Sequence, residues 1–270
     1  MLVIWLIPLV IVLMLGYFSS RYHWWAKTVP YSVPRVLMYH MVREHLPGGK
    51  FNGLRVPPHQ FEQQLQWLRK DGWTFFTLAE MQRRRSDLPE KSVALTFDDG
   101  YEDNLTNVLP LLEKYDAKAT IYIVCDRHDR DWSVYKKKHH SSGELMREPK
   151  LSDTQIERLV ASGRVEIASH TLTHLNLRDA DEATAKEEIQ ASKQQLEKRF
   201  VITVNSFAYP FGIFTERDVA LVQAAGYDNA VTTEQGCSDF SDPFRLARVK
   251  VSGKEGMFAF RLRMRLGRRN

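Results

Sequence analysis

Cysteine is nearly absent from this 270-residue chain: there are two, Cys125 and Cys237, far apart. That excludes a disulfide-stapled scaffold, a thiolate zinc cluster and a Cys-x-x-Cys redox pair. Both thiols read as small apolar fillers and say little about redox compartment. No internal repeat is present, which argues against a solenoid or propeller. Residues 1–18 carry no charged side chain, the last ten residues carry no acid, and no histidine follows His174.

The remaining composition is that of a globular protein, with 43% hydrophobic and 26% charged residues. The net charge of +5 is localised, because Arg261, Arg263, Arg265, Arg268 and Arg269 in the last ten residues match it. A nucleic-acid-binding role is disfavoured, since it needs basic charge spread over a face. Interleaved with Met257, Phe258, Phe260, Leu262, Met264 and Leu266, this basic tail (256–270) has two readings. It can lie on anionic lipid, or pack on the domain with a solvated basic face.

The stretch MLVIWLIPLVIVLMLGYF (1–18) is close to bilayer length and is followed by Tyr22, Trp24 and Trp25, interface-favouring types. It lacks the basic start and small-residue cleavage site of a signal peptide, so residues 1–20 are expected to be an uncleaved transmembrane anchor. A linker with Pro30 and Pro34 (21–34) follows. Arg21, Lys27 and Arg35 lie after the span and none precedes it, which by charge alone favours a cytoplasmic domain.

From Arg35 to residue 255, strand-like and helix-like segments alternate without a second shift in composition. Short apolar runs such as RVLMYH, SVALTF, ATIYIVC, VEIAS and RLARVKV alternate with helical patterns such as PPHQFEQQLQWLRKDG, LSDTQIERLVASG and residues 182–200. This pattern predicts an α/β domain with a parallel sheet, open or closed into a barrel. In either form, chemistry is expected at the C-terminal ends of the strands. The polar insert 127–150 is expected to be a long loop near one end of the domain.

Three strand ends carry chemistry-bearing residues. VALTF ends in Asp98-Asp99, VEIAS ends in SHTLTH with His170 and His174 four apart, and VLMY ends at His40. Adjacent buried carboxylates repel and resist desolvation. Asp-Gly is also a common surface-turn pair, so the pair alone decides nothing. Two histidines at i and i+4 can face one point if their segment turns helically. With one carboxylate they form a His₂–carboxylate set suited to Zn²⁺ or a similar ion. One aspartate can then bind metal while its neighbour serves as base, and the ion offsets the repulsion.

TFDDG with SHTLTH resembles the first two signature motifs of the polysaccharide deacetylases, carbohydrate esterase family four, over roughly Arg35 to Val251. The resemblance implies a distorted parallel (β/α) barrel of about seven strands and metal-dependent removal of acetyl groups from glycans. It implies Asp98 as base and Asp99, His170 and His174 as ligands of one divalent metal, Zn²⁺ with Co²⁺ or Ni²⁺ as alternatives. FAYPFG (207–212) resembles the third motif, in which the Phe211 backbone amide would help hold the oxyanion.

Two departures stand out. Ala208 occupies the place of an arginine that orients the base, and Arg248 is the candidate to replace it from another strand. The usual late histidine acid is missing, and the order with VLMYHMV before the first motif resembles the permuted subgroup acting on poly-β-1,6-N-acetylglucosamine. That resemblance gives His40 the acid role. The other histidines, His23, His45, His59, His128, His139 and His140, have no strand-end placement; Tyr101 and Trp132 can contact sugar or serve the core. The expectation is a hydrolase of N-acetyl groups on an N-acetylglucosamine polysaccharide, on the periplasmic or outer face of a membrane because long domains can cross regardless of flanking charge. A membrane-tethered glycan-binding protein with an impaired site is the alternative, as is a deacetylase of peptidoglycan or another amide or ester.

Overall fold

A computed structural model of the chain describes residues 2–22, 24–132 and 143–267, without the side chains of residues 2–6, 9 and 21. His23, His139, His140, Arg268, Arg269 and the middle of the insert lie outside the described residues. Eight parallel strands are described: β1 (Arg35–Tyr39), β2 (Thr74–Phe76), β3 (Ser92–Phe97), β4 (Ala119–Ile123), β5 (Val165–Ser169), β6 (Ser206–Ala208), β7 (Asn229–Gln235) and β8 (Leu246–Lys250). They run in the order β1-β8-β7-β6-β5-β4-β3-β2, and β1 also pairs with β3, so seven of them close a ring.

The eighth strand distorts the barrel. β1 pairs along β3 from Arg35↔Val93 to Tyr39↔Phe97, using one edge of that strand. The other edge is divided: β2 takes Ser92–Ala94 and β4 takes Leu95–Phe97. β2 is therefore a wedge at the N-terminal end of the ring. Below it the barrel floor is closed by Phe76, Leu78 and Met81, which pack with Val36, Ala94 and Ala168.

The two-residue period of a strand sorts side chains between barrel interior and helix layer. Leu37, Tyr39, Val93, Leu95, Phe97, Ile121 and Ile167 join the outer core against helices such as Pro58–Lys70, which contributes Phe61, Leu65 and Leu68. Val36, Ala94, Tyr122, Ala168, Ala208 and Leu246 form the separate inner cluster. Both faces of β3 are covered, which is why all six of its residues are buried. Small residues at Ala94, Ala168 and Ala208 leave interior space for larger side chains from β4 and β8.

The described parts of the insert, 127–132 and 143–150, bring Trp132 and Leu145 to the barrel mouth. Its short helix Glu144–Arg147 follows Gly143, and Tyr101 bridges to Lys150. The fully buried Arg55 guanidinium lies between Glu144 and Glu148, and the Lys150 ammonium donates to Leu145 O and Glu148 O. These bonds hold the segment down.

At the opposite end, a helix spans Leu2–Tyr22. Among the described residues no helix is long and apolar enough to cross a membrane, so the expected anchor gains no support from the structure. The basic tail forms the helix Met257–Leu266, which packs on the domain through Phe260, Met264 and Leu266 and leaves Phe258 and Arg261 outward. Arg35 ties this end together, donating to Val29 O, Pro30 O, Val33 O and Met264 O. Arg35→Met strands these carbonyls at roughly 1–3 kcal/mol for each one that water does not reach. A loss of about 3 kcal/mol is expected in urea unfolding; an unchanged midpoint would show that water replaces the guanidinium.

Candidate active site

Inward alternation continues past the strand ends and brings His40, Asp98, His170 and Lys250 to one cavity of about 310 Å³ at the C-terminal mouth of the barrel. Phe51, Leu54, Leu145 and Phe211 line its apolar side. Asp98 and Asp99 part company there, because Asp99 leaves the strand with φ +76° and Gly100 follows at +67°. A positive φ is unusual for a non-glycine residue and marks a backbone held by its surroundings.

Asp98 turns into the barrel and meets Arg248 in a two-point contact, Nη1 to Oδ1 at 2.7 Å and Nη2 to Oδ2 at 2.8 Å. Arg248 is itself fixed by Nε to Thr232 O (2.8 Å) and Nη1 to Thr96 Oγ1 (3.1 Å), and is fully buried. Burial by itself raises a carboxyl pKa, but the guanidinium holds Asp98 below the ordinary carboxylate range. The His40 Nε2 lies 4.0 Å from Asp98 Oδ2, with the ring partly exposed to the cavity. Burial lowers His40 from its ordinary value, against the upward pull of Asp98 and Asp99.

Asp99 Oδ1, His170 Nε2 and His174 Nε2 form a tight triangle. The separations are 3.5 Å from Asp99 to His170, 3.3 Å from Asp99 to His174, and 3.2 Å between the two ring nitrogens. All three residues are buried. Donors about 2.0–2.2 Å from a common ion at tetrahedral angles stand roughly 3.3–3.5 Å apart. The triangle fits that spacing. The His170 Nδ1–H donates to Ala208 O at 2.7 Å, which leaves Nε2 with a lone pair toward the triangle. Burial pushes His174 down to about 4, so at neutral pH its ring carries no charge to offset Asp99. Three potential ligand atoms thus converge on one point, an arrangement that could hold a divalent cation.

The two histidines do not converge through a helical turn. The segment 170–174 is irregular, with Thr171 at φ +68° and His174 at +61°. Glu188 holds it from the long helix by accepting from Thr173 N and Oγ1, and Thr171 Oγ1 accepts from His174 N. Across the cavity, Phe211 also has a left-handed backbone (φ +60°) in the short turn Pro210–Gly212. There Gly212 N–H donates to Tyr209 O and Ile213 N–H to Pro210 O, so the Phe211 N–H stays out of the turn's own bonds. Gly212 has no substitute, because a Cβ there would stand 1.9 Å from Thr233 Oγ1.

A family model described as polysaccharide deacetylase matches residues 85–230, more than half of the chain. The chain belongs to the polysaccharide deacetylase family. YxkH of Bacillus subtilis, named for the same family, is 32% identical over 232 residues, 84% of this chain and 75% of that protein. A poly-β-1,6-N-acetyl-D-glucosamine N-deacetylase of Staphylococcus epidermidis is 25% identical over 237 residues, covering 80% of this chain and 78% of its own. Among solved structures, the Streptococcus pyogenes deacetylase PplD in complex with acetate superposes with a TM-score of 0.73 at 26% identity, over 87% of this chain and 99% of that one.

Within this polysaccharide deacetylase, Trp132 stands 5.1 Å ring to ring from His174, and Lys250, Gln235 and Thr233 line the cavity. Lys250 was legible in principle, two residues beyond Arg248 on the same strand face. His45 bonds Arg55 O, and neither it nor His59 nor His128 lines the cavity. His174→Ala is expected to weaken Zn²⁺ or Co²⁺ binding at least about 100-fold by removing one of three ligands. Asp98→Asn should retain the metal; equal metal loss in both variants would contradict the division between the aspartates.

Proposed function

We propose that this polysaccharide deacetylase hydrolyses N-acetyl groups on an N-acetylglucosamine-containing glycan, releasing acetate and a free amine. The observation that carries this reading is the pairing, in one cavity, of an Arg248-held Asp98 with the Asp99–His170–His174 triangle. Asp99, His170 and His174 would hold one divalent ion, Zn²⁺ first and Co²⁺ or Ni²⁺ as alternatives. When bound, such an ion supplies Lewis acidity toward the acetyl carbonyl and toward water.

The chain's own groups do the proton work. Asp98, kept ionised and aimed by Arg248, takes a proton from the attacking water. The Phe211 N–H is a preorganised donor for the oxygen that gains charge when the carbonyl becomes tetrahedral. His40, with Nε2 4.0 Å from Asp98 Oδ2, gives a proton to the departing nitrogen. Burial lowers its pKa against the upward pull of Asp98 and Asp99, so this step is expected to weaken as pH rises through that lowered value. Phe51, Leu54 and Leu145 exclude water from the acetyl side of the cavity.

The Staphylococcus epidermidis relative supports poly-β-1,6-N-acetylglucosamine as the first glycan to offer. The intact acid, base and ligand set favours turnover over a purely glycan-binding role. We place the domain outside the cytoplasm, tethered through residues 1–20, on the apolar sequence and the extracellular nature of such glycans. The deciding assay is acetate release by the purified full-length chain, with Zn²⁺, Co²⁺ or Ni²⁺ restored after chelation. Poly-β-1,6-N-acetylglucosamine, chitin oligomers and peptidoglycan are offered in parallel. Metal-dependent release from one of them is expected, with Asp98→Asn at least about 10³-fold slower and Arg248→Met about 10–100-fold slower. Release from none, with metal bound, would transfer the protein to the binding reading.

A further inference from the structure

His40 and Val42, just after β1, are fixed by side chains, while Met41 between them pairs through its backbone. Asn104 Nδ2 donates to His40 O at 3.1 Å, and Asp103 Oδ1 accepts the Val42 N–H at 2.8 Å. Asn107 Nδ2 donates to Val42 O at 2.8 Å, and Asn104 Nδ2 also reaches Asp103 Oδ1 at 3.1 Å. All these donors and acceptors come from one short segment just past the Asp98-Asp99 turn, of which Asn104–Val108 is a π-helix. Wide turns of this kind are uncommon and concentrate at functional sites. Asn104 is completely buried, and Asp103 is 6% exposed.

Burial of this kind has a cost. Asp103 is pushed up to about 6 by desolvation, partly offset by its bond from Val42. Asn104 Oδ1 is buried without a hydrogen-bond partner. A packed apolar pair would avoid both penalties but leave His40 O and the Val42 N–H without these partners. What the polar pair gains in return is a fixed backbone for His40 relative to Asp98. Both aspartates and the clamp lie on one continuous stretch, 98–104, so the base and the frame of the acid are set by the same turn.

We infer that Asp103 and Asn104 are positioning residues for His40, holding its ring where it can protonate the leaving nitrogen. The inference rests on the reading of His40 as the acid. A displacement of about 1 Å in a catalytic group can cost on the order of 100-fold in rate.

The test is a double-mutant cycle on the metal-loaded full-length enzyme, with a β-1,6-linked N-acetylglucosamine pentamer as substrate. Asn104→Ala is expected to lower kcat about 10–100-fold with KM within about 2-fold. In a His40→Ala background the same change should cost less than about 2-fold, because coupled sites are non-additive. Turnover of 4-nitrophenyl acetate by Asn104→Ala should be retained, since its leaving group needs no proton. Asp103→Asn keeps the acceptor for Val42 and should stay within about 3-fold of wild type, while Asp103→Ala should follow Asn104→Ala. This pair covers the case in which Asn104→Ala does not fold. An equal loss in both backgrounds, or a parallel loss on the aryl ester, would overturn the positioning role while leaving His40 as acid. A His40→Ala variant with wild-type kcat on the pentamer would overturn the acid assignment itself, and the positioning role with it.

Discussion

A carboxylate at the centre of a closed barrel stays ionised only if a cation meets it there. In this chain the cation is Arg248, a fully buried guanidinium that grips both oxygens of Asp98. Removing one partner of such a pair strands a charge in low dielectric, a cost of several kcal/mol. The surrounding interior is built to accommodate it. Ala94, Ala168 and Ala208 are small, and Thr96 and Thr232 supply oxygen atoms for two more of the guanidinium hydrogens. Under this layer, Tyr122 and Asn229 Oδ1 are joined through Ser206 Oγ, while the Asn229 amide nitrogen is buried without a partner.

The neighbouring carboxylate is handled by a different device. Asp99 leaves the strand through a left-handed residue and faces two imidazoles rather than an arginine. Both aspartates sit below the ordinary carboxylate range, Asp99 well below, although burial alone would raise them. Two like charges one residue apart are thus kept ionised by two separate partner sets on opposite sides of the backbone. That separation is what permits a division between proton acceptor and metal ligand.

Much of this was legible in the sequence because it depends on periodicity. Alternation along strands places Asp98, His40 and Arg248 on the inner face, and strand ends mark where chemistry gathers. Repeated strand–helix units imply a parallel sheet, and the family resemblance, not the alternation, implied its closure into a ring of about seven strands. Other features depend on backbone states that no pattern of hydrophobicity encodes. Asp99, Thr171, His174 and Phe211 all take positive φ, so the Asp99–His170–His174 triangle closes by local backbone reversals and not by a helical turn. The wedge β2 reads as an ordinary short strand, since only its partner's divided edge reveals its position. Arg248 was a candidate partner for Asp98 from the sequence, but their two-point contact joins strands far apart in the chain, and only the folded structure displays it. Asp103 and Asn104 were overlooked for a simpler reason: their chemistry is directed at main-chain atoms, which sequence motifs do not display.

Arg35 and His40 stand at opposite ends of β1, five residues of strand that span about 16 Å. One end is anchored to the carbonyls of residues 29–33 and of Met264, and the other opens into the cavity. All strands of the ring run parallel, so the segment leading into the barrel enters on the face opposite the reaction chamber. Wherever that leading segment is held, the mouth looks away from it. Whatever reaches the reaction chamber therefore approaches from the side away from the N-terminal segment.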